Sequence, residues 1–297
     1  METGRTPASI QGHTPGREIE MKLGIIGTGN MGSAILKGYL KAKPEAADDV
    51  IILAKNREKL SALAAETGTV MADSVESLVF ESDVILFAVK PYQFDEVLPL
   101  AQKGWSPEKL AVSVAAGITL QRLQEGLSGV GNTGMLTEVA DVKAVRAMPN
   151  TPAMVGEGMT AVCRNAAVTE DDMRFVMELF GGIGKAEEIT EQLMDSVIGV
   201  SGSSPAYVYL FIEALADGAV AEGMPRSQAY TFAAQAVLGS AKMVLETGLH
   251  PGQLKDQVCS PGGTTIEAVT VLEDMGLRSA VTSAVRAAAQ KSRDMSK

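Results

Sequence analysis

Apolar residues in the first half of the chain come in short unbroken runs, at Lys22–Ile26, Val50–Leu53, Val84–Val89, Leu110–Val114, Lys143–Ala147 and Met159–Cys163. Runs of this length read as strands, and continuous rather than alternating apolar positions suit a parallel sheet covered on both faces. Stretches with helical spacing, Met31–Lys41, Arg57–Glu66 and Gln93–Ala101, lie between the earlier runs. This alternation predicts a doubly wound α/β domain. After about Glu188 the texture changes. Tyr207–Glu222, Gln228–Glu246, Ile266–Asp274 and Ser279–Arg293 all predict helices, with Ser227 as a start signal and Gly248 and Gly276 as stops. The expected division is therefore a sheet domain over residues 21–187 and an all-α domain over 188–297. Residues 1–20 are polar, carry no apolar stretch, and read as a disordered leader or tag outside the fold.

Composition sharpens this picture. Of 297 residues 46% are hydrophobic but only 4% aromatic, so the interior must be aliphatic and alanine-rich. In the helical half, Ala214, Ala216, Gly218 and Ala219 on one stretch and Ala233, Ala234, Ala236 and Gly239 on the next permit close helix approach. So small a unit, apolar on several faces, is expected to bury surface against a second copy, giving at least a homodimer. The net charge of −10 argues against nucleic acid as a partner. No run approaches the length a membrane span needs. Cys163 and Cys259 lie far apart without metal-ligand spacing, which points to a reduced, cytoplasmic setting, and no metal site is expected.

Gly27-Thr28-Gly29-Asn30-Met31-Gly32 is a G-x-G-x-x-G run between a strand and a helix. Gly27 permits the tight turn, Gly29 lets a pyrophosphate meet the backbone, and Gly32 lets strand and helix pack closely, which together make a Rossmann-type dinucleotide fingerprint. The second strand ends at Ala54-Lys55-Asn56-Arg57 with no acid for ribose hydroxyls, so Asn56 and Arg57 are candidates for a 2′-phosphate, favouring NADPH over NADH. The same basic turn could simply cap the next helix. Ala88-Val89-Lys90, Ala115-Ala116-Gly117 and Met148-Pro149-Asn150 each close a strand where ligands bind in open α/β sheets, so Ala88, Val89, Lys90, Ala115, Gly117 and Asn150 join the cofactor candidates.

A second site is suggested by Ser260-Pro261-Gly262-Gly263-Thr264-Thr265-Ile266-Glu267. Thr264 and Glu267 have capping-box spacing, while the bare Gly262 and Gly263 amides at a helix start suit a small carboxylate. Thr265 would then keep a free hydroxyl at the mouth of that pocket; the alternative is an ordinary capped turn. The only histidine beyond the leader, His250, stands beside Pro251-Gly252, so a histidine acid–base dyad is not expected. Reduction of an already protonated C=N bond needs mainly hydride, orientation and one donor.

Taken in order, Gly27–Gly32, Val89-Lys90-Pro91, Arg146-Ala147-Met148-Pro149-Asn150-Thr151-Pro152 and Ser260–Thr265 resemble the motifs of the pyrroline-5-carboxylate reductases. Ser201–Tyr207 and Asp217-Gly218 fit as well, and the resemblance spans essentially residues 21–290. It implies hydride transfer from NAD(P)H to 1-pyrroline-5-carboxylate, giving L-proline, the last step of proline biosynthesis. It also implies interlocked helical dimerisation domains, with the Pro-Gly-Gly loop of one subunit meeting the cofactor of the other. In that reading Gly262, Gly263 and Thr264 form the substrate cradle and Thr265 acts on the ring nitrogen as the catalytic residue. Two alternatives stay open at this stage: a 3-hydroxyacid-type dehydrogenase, although no lysine falls between Ser196 and Glu222, and a non-catalytic NADPH-binding sensor.

Overall fold

The aliphatic runs condense into one eight-stranded sheet. A computed structural model describes residues 21–130, 134 and 136–295, so the expected leader lies outside the described residues. The chain runs β1 (Leu23–Ile26), α1 (Asn30–Ala42), β2 (Val50–Leu53), α2 (Arg57–Thr67), β3 (Val70–Met71), α3 (Val75–Glu81), β4 (Val84–Phe87), α4 (Phe94–Lys103), β5 (Leu110–Ser113) and α5 (Leu120–Leu127). A small hairpin, β6 (Gly129–Val130) and β7 (Leu136–Thr137), precedes β8 (Lys143–Met148), β9 (Gly158–Arg164), α6 (Glu170–Gly181) and β10 (Gly184–Glu188). The main sheet has the order β10-β9-β8-β5-β4-β1-β2-β3.

Because successive side chains on a strand face opposite ways, each strand feeds two cores. Leu23, Ile25, Ile52 and Leu86 point to α1, α2 and α6, while Ile26, Ile51, Ile85 and Phe87 point to α3, α4 and α5. Both faces are thus dry, which is why these runs show no polar alternation. The parallel expectation holds for β1–β5 and β8 but not beyond. β9 pairs antiparallel to β8, and β10 follows β9 in parallel. The link from Pro149 to Glu157 is shorter than the dozen or so residues a crossover helix needs, so the chain doubles back. β10 is the polar edge strand Gly-Lys-Ala-Glu-Glu and offers no apolar run to read.

The helical half begins with α7 (Met194–Val197) and one turn of π-helix at Ile198–Gly202. Then come α8 (Ser204–Ala221), α9 (Arg226–Thr247), α10 (Pro251–Val258), α11 (Thr264–Asp274) and α12 (Leu277–Met295). α9 begins after Pro225 rather than at Ser227, since the proline fixes the turn before the helix. It ends at Gly248, which takes the left-handed conformation (φ 65°). α12 folds back so that Ser292 Oγ donates to Asp195 Oδ1 on α7 at 2.5 Å. Among the described residues of this half, Ala216, Ala229 and Ala233 form a small buried cluster of their own, whereas Leu210, Phe232, Leu238 and Leu245 are each more than half exposed. Among the described residues no helix is long and apolar enough to cross a membrane.

Candidate functional site

Strand order reverses between β1 and β4, the switch point where open α/β sheets take ligands. The fingerprint loop leaves β1 there, and Ala88-Val89-Lys90 leaves β4 beside it. Gly27 has φ 102°, and its N–H donates to the Leu53 carbonyl at 2.8 Å. A Cβ at this position would stand 2.7 Å from the Ala88 carbonyl oxygen, so the turn tolerates no side chain. A Cβ on Gly29 would meet nothing within 4 Å, which leaves its outer face open to a ligand.

α1 starts at Gly29 with no side-chain cap and no acidic residue in its first turn. By contrast, Asn56, Ser74, Thr119 and Thr169 cap α2, α3, α5 and α6 with their own side chains. The free amides and positive dipole end of α1 therefore stand ready for an anion. A cleft of about 580 Å³ opens on this loop, lined by Gly27, Gly29, Arg57, Ala88, Val89 and Lys90 together with Thr28, Asp73, Ser74 and Gln93. Asp73 and Ser74 were absent from the sequence expectation, because loops after short strands such as β3 carry no apolar signal to place them; Thr28 stands inside the fingerprint itself. Lys90 is exposed at the rim, its N–H held by Gln93 Oε1 at 3.1 Å.

Other candidates take different places. Asn30, exposed at the first residue of α1, lines a separate 630 Å³ cleft on the other side of the loop. The Met31 side chain is half-buried and packs against the core behind the loop. Asn56 takes the helix-capping role that the same turn also allowed: its Oδ1 accepts the Lys59 N–H at 3.0 Å as the cap of α2, and it lies outside the cleft lining. Arg57 is a basic group at the rim, beside Lys55 and Lys90, with Nη1 donating to the Ala72 carbonyl at 2.6 Å and Nη2 to Asp73 Oδ1 at 3.0 Å. Ala115, Gly117 and Asn150 also lie outside the lining. The Ala115 side chain is buried in the second core, and Asn150 spends its amide on protein backbone, as detailed below.

At the second site the capping box does not form. The N-cap of α11 is Gly263, with no side-chain cap, and Thr264 is already the first helical residue. The cause lies upstream. Pro261 and Gly262 (φ 65°) occupy the centre of a type II turn closed by the Gly263 N–H to the Ser260 carbonyl at 3.0 Å. That turn sets the helix register one residue early and consumes the Gly263 amide. The amides left for an anion are those of Thr264, Thr265 and Ile266 at the helix start, beside that of Gly262. Thr264 is exposed and Thr265 half-buried. Within one chain the cofactor cleft takes no lining from residues 259–265, so the two sites are not brought together.

Between the halves lies a charged contact that strand reading alone did not weigh. Arg146, an arginine inside an apolar run, is 3% exposed, and its Nη1 stands 3.4 Å from Glu191 Oε1. The same oxygen accepts the Leu120 N–H at 2.9 Å, tying α5 and β8 to the first turn of the helical half. Opposite Arg146 on β9, burial pushes the Cys163 thiol up to about 12, with the Glu191 charge adding to it. Among the described residues no cluster of His, Cys, Asp or Glu is placed to hold a metal ion.

Residues 191–295 match the family described as pyrroline-5-carboxylate reductase dimerisation, and residues 22–117 match NADP oxidoreductase coenzyme F420-dependent. A pyrroline-5-carboxylate reductase of Escherichia coli is 49% identical over 94% of this chain and 100% of its own length. One from Pisum sativum is 41% identical over 92% of this chain and 96% of its own. The solved reductase of Coxiella burnetii superposes with a TM-score of 0.84 at 30% identity, covering 94% of this chain and 100% of that one. The Plasmodium falciparum enzyme, solved with NADP bound, gives 0.77 at 34% identity over 93% and 98%. With the fingerprint at the switch point, the sheet domain and the helical half all in register with these proteins, the chain belongs to the pyrroline-5-carboxylate reductase family.

Proposed function

We propose that this protein reduces the C=N bond of 1-pyrroline-5-carboxylate to give L-proline in the cytoplasm, using NADPH in preference to NADH. The observation that carries the reading is the pair of helix starts, α1 and α11, each opened by glycine and lacking a side-chain cap. One suits a pyrophosphate and the other a small carboxylate. The cofactor fits the residues present, because the cradle at Gly27 and Gly29 is shaped so that a Cβ would fill or strain it.

When bound, the reduced nicotinamide supplies the hydride. Gly27, Gly29 and the α1 amides hold the pyrophosphate, Arg57 the 2′-phosphate, and the backbone of Ala88–Lys90 the ribose. The amides at the start of α11 grip the substrate carboxylate and fix which carbon faces the nicotinamide. The Thr265 hydroxyl orients the ring nitrogen. Held in this way the reaction needs no strong base, and orientation provides the main catalytic contribution. Because one chain keeps its α11 loop away from its own cleft, the loop serves the cleft of a second subunit. The exposed apolar side chains of α8 and α9 supply the surface for that exchange.

The test is NADPH oxidation on adding pyrroline-5-carboxylate, with NADH alongside and proline measured as product. Turnover with proline formation is the expected result. Nucleotide binding without turnover would return the chain to a sensing role.

A further inference from the structure

Asn150, at the carboxyl end of β8, joins two backbones through one side chain. Its Oδ1 accepts the Met159 N–H of β9 at 2.9 Å, and its Nδ2 donates to the Ser201 carbonyl at 3.0 Å. The first bond fixes the return of the sheet. The second crosses to the helical half and lands inside the π-turn Ile198–Gly202, whose wide bond runs from the Ser203 N–H to the Ile198 carbonyl at 2.8 Å. π-turns tend to occur where a helix has been opened for a purpose. Here the turn leads directly into α8. It also seats α12, since a Cβ on Gly199 would stand 2.6 Å from the Val285 carbonyl. Sheet, α8 and α12 therefore meet at one turn, and Asn150 is the sheet's polar hold on it.

We propose that Asn150 is a positioning residue for hydride transfer. It fixes the tilt of the helical half against the cofactor-bearing strand ends without touching either ligand. The proposal rests on the assignment of residues 260–265 as the substrate cradle. The cradle that serves this chain's cleft belongs to the partner and is carried on a helical half packed against this chain's own, so a change of tilt at the π-turn changes the distance between the held substrate and the nicotinamide. An amide suits the task because it offers a donor and an acceptor on one short planar group at any working pH.

The two bonds separate by mutation. Asn150→Asp keeps the acceptor for Met159 and replaces the donor to Ser201 with a repelling oxygen, whereas Asn150→Ala removes both. NADPH affinity by nucleotide fluorescence, kcat, KM, the isotope effect with 4-deuterated NADPH, and Tm would be measured on both variants and the unmodified enzyme. The expected result for Asn150→Asp is unchanged NADPH affinity, a kcat lower by roughly tenfold and an enlarged isotope effect, because small misplacements weigh heavily on the chemical step. Parallel loss of NADPH affinity and kcat would make Asn150 a cofactor ligand and overturn the proposal. A lower Tm with kcat and isotope effect unchanged would reduce it to a structural bond. Absence of turnover in the unmodified enzyme would overturn the functional reading, and this proposal with it.

Discussion

Replacing Arg57 by alanine tests the cofactor assignment at the position where the structure makes it most specific. Two guanidinium nitrogens already engage oxygens, the Ala72 carbonyl at 2.6 Å and Asp73 Oδ1 at 3.0 Å. The fork is thus pre-set at the cleft rim, and a 2′-phosphate would compete with Asp73, whose side chain is almost fully exposed and free to swing away. A charge-assisted hydrogen bond is worth about 1.5–3 kcal/mol when well shielded. The Arg57 side chain is 48% exposed, so the lower end applies. A loss of about 1.5 kcal/mol is roughly tenfold in affinity. Steady-state kinetics should therefore show KM for NADPH raised roughly tenfold, and KM for NADH changed by less than about twofold. Arg57→Lys should fall between, keeping charge but losing the planar fork. Removing the bond to Ala72 should also cost about 1 kcal/mol of stability, read as a lower Tm. If both nucleotides weaken equally, Arg57 merely holds the loop after β3 and the phosphate assignment is wrong.

Thr265→Ala should bind NADPH as before yet turn over about a hundredfold more slowly, the usual cost of losing one donor at the reacting centre; unchanged kcat would remove Thr265 from the chemistry. Phe232→Glu, on an α9 side chain 66% exposed, should lower the mass seen by light scattering and reduce turnover with it, while an unchanged mass would move the interface elsewhere. The two thiols should differ at pH 8: half-buried Cys259 should react with a thiol reagent and Cys163 stay silent until the protein unfolds. For Cys163 the linkage sign follows from the raised value. The unfolded chain releases its proton near the ordinary 9 while the folded chain keeps it to about 12, so stability is full below that window and falls as pH rises through it. Urea titrations at pH 8 and 10 should show the unmodified chain losing more stability than Cys163→Ala, by up to about 1.4 kcal/mol per pH unit.

Apolar continuity revealed the buried strands and glycine placement revealed the fingerprint, because both follow from local constraints that any chain must obey. Direction was less legible. Nothing in the Met159–Cys163 run says it lies antiparallel to its neighbour; that comes from the length of the link before it. β10 was hidden because an edge strand tolerates polar residues. At α11 the motif was visible but its register was not, since a proline–glycine turn outranked the threonine cap expected from spacing. Asn56 and Asn150 make the same point about partners. An asparagine at a strand end advertises hydrogen bonding, but only the fold shows which backbone groups it holds.

The thinness of the helical half's own core has a thermodynamic consequence. A core cluster of Ala216, Ala229 and Ala233 cannot hold six helices together, so their cohesion has to come from surface shared with another copy. Folding of that half is then a reaction between chains, governed by mass action rather than by sequence alone. Its melting temperature should climb with protein concentration, and specific activity should decay on dilution before the sheet domain loses any secondary structure.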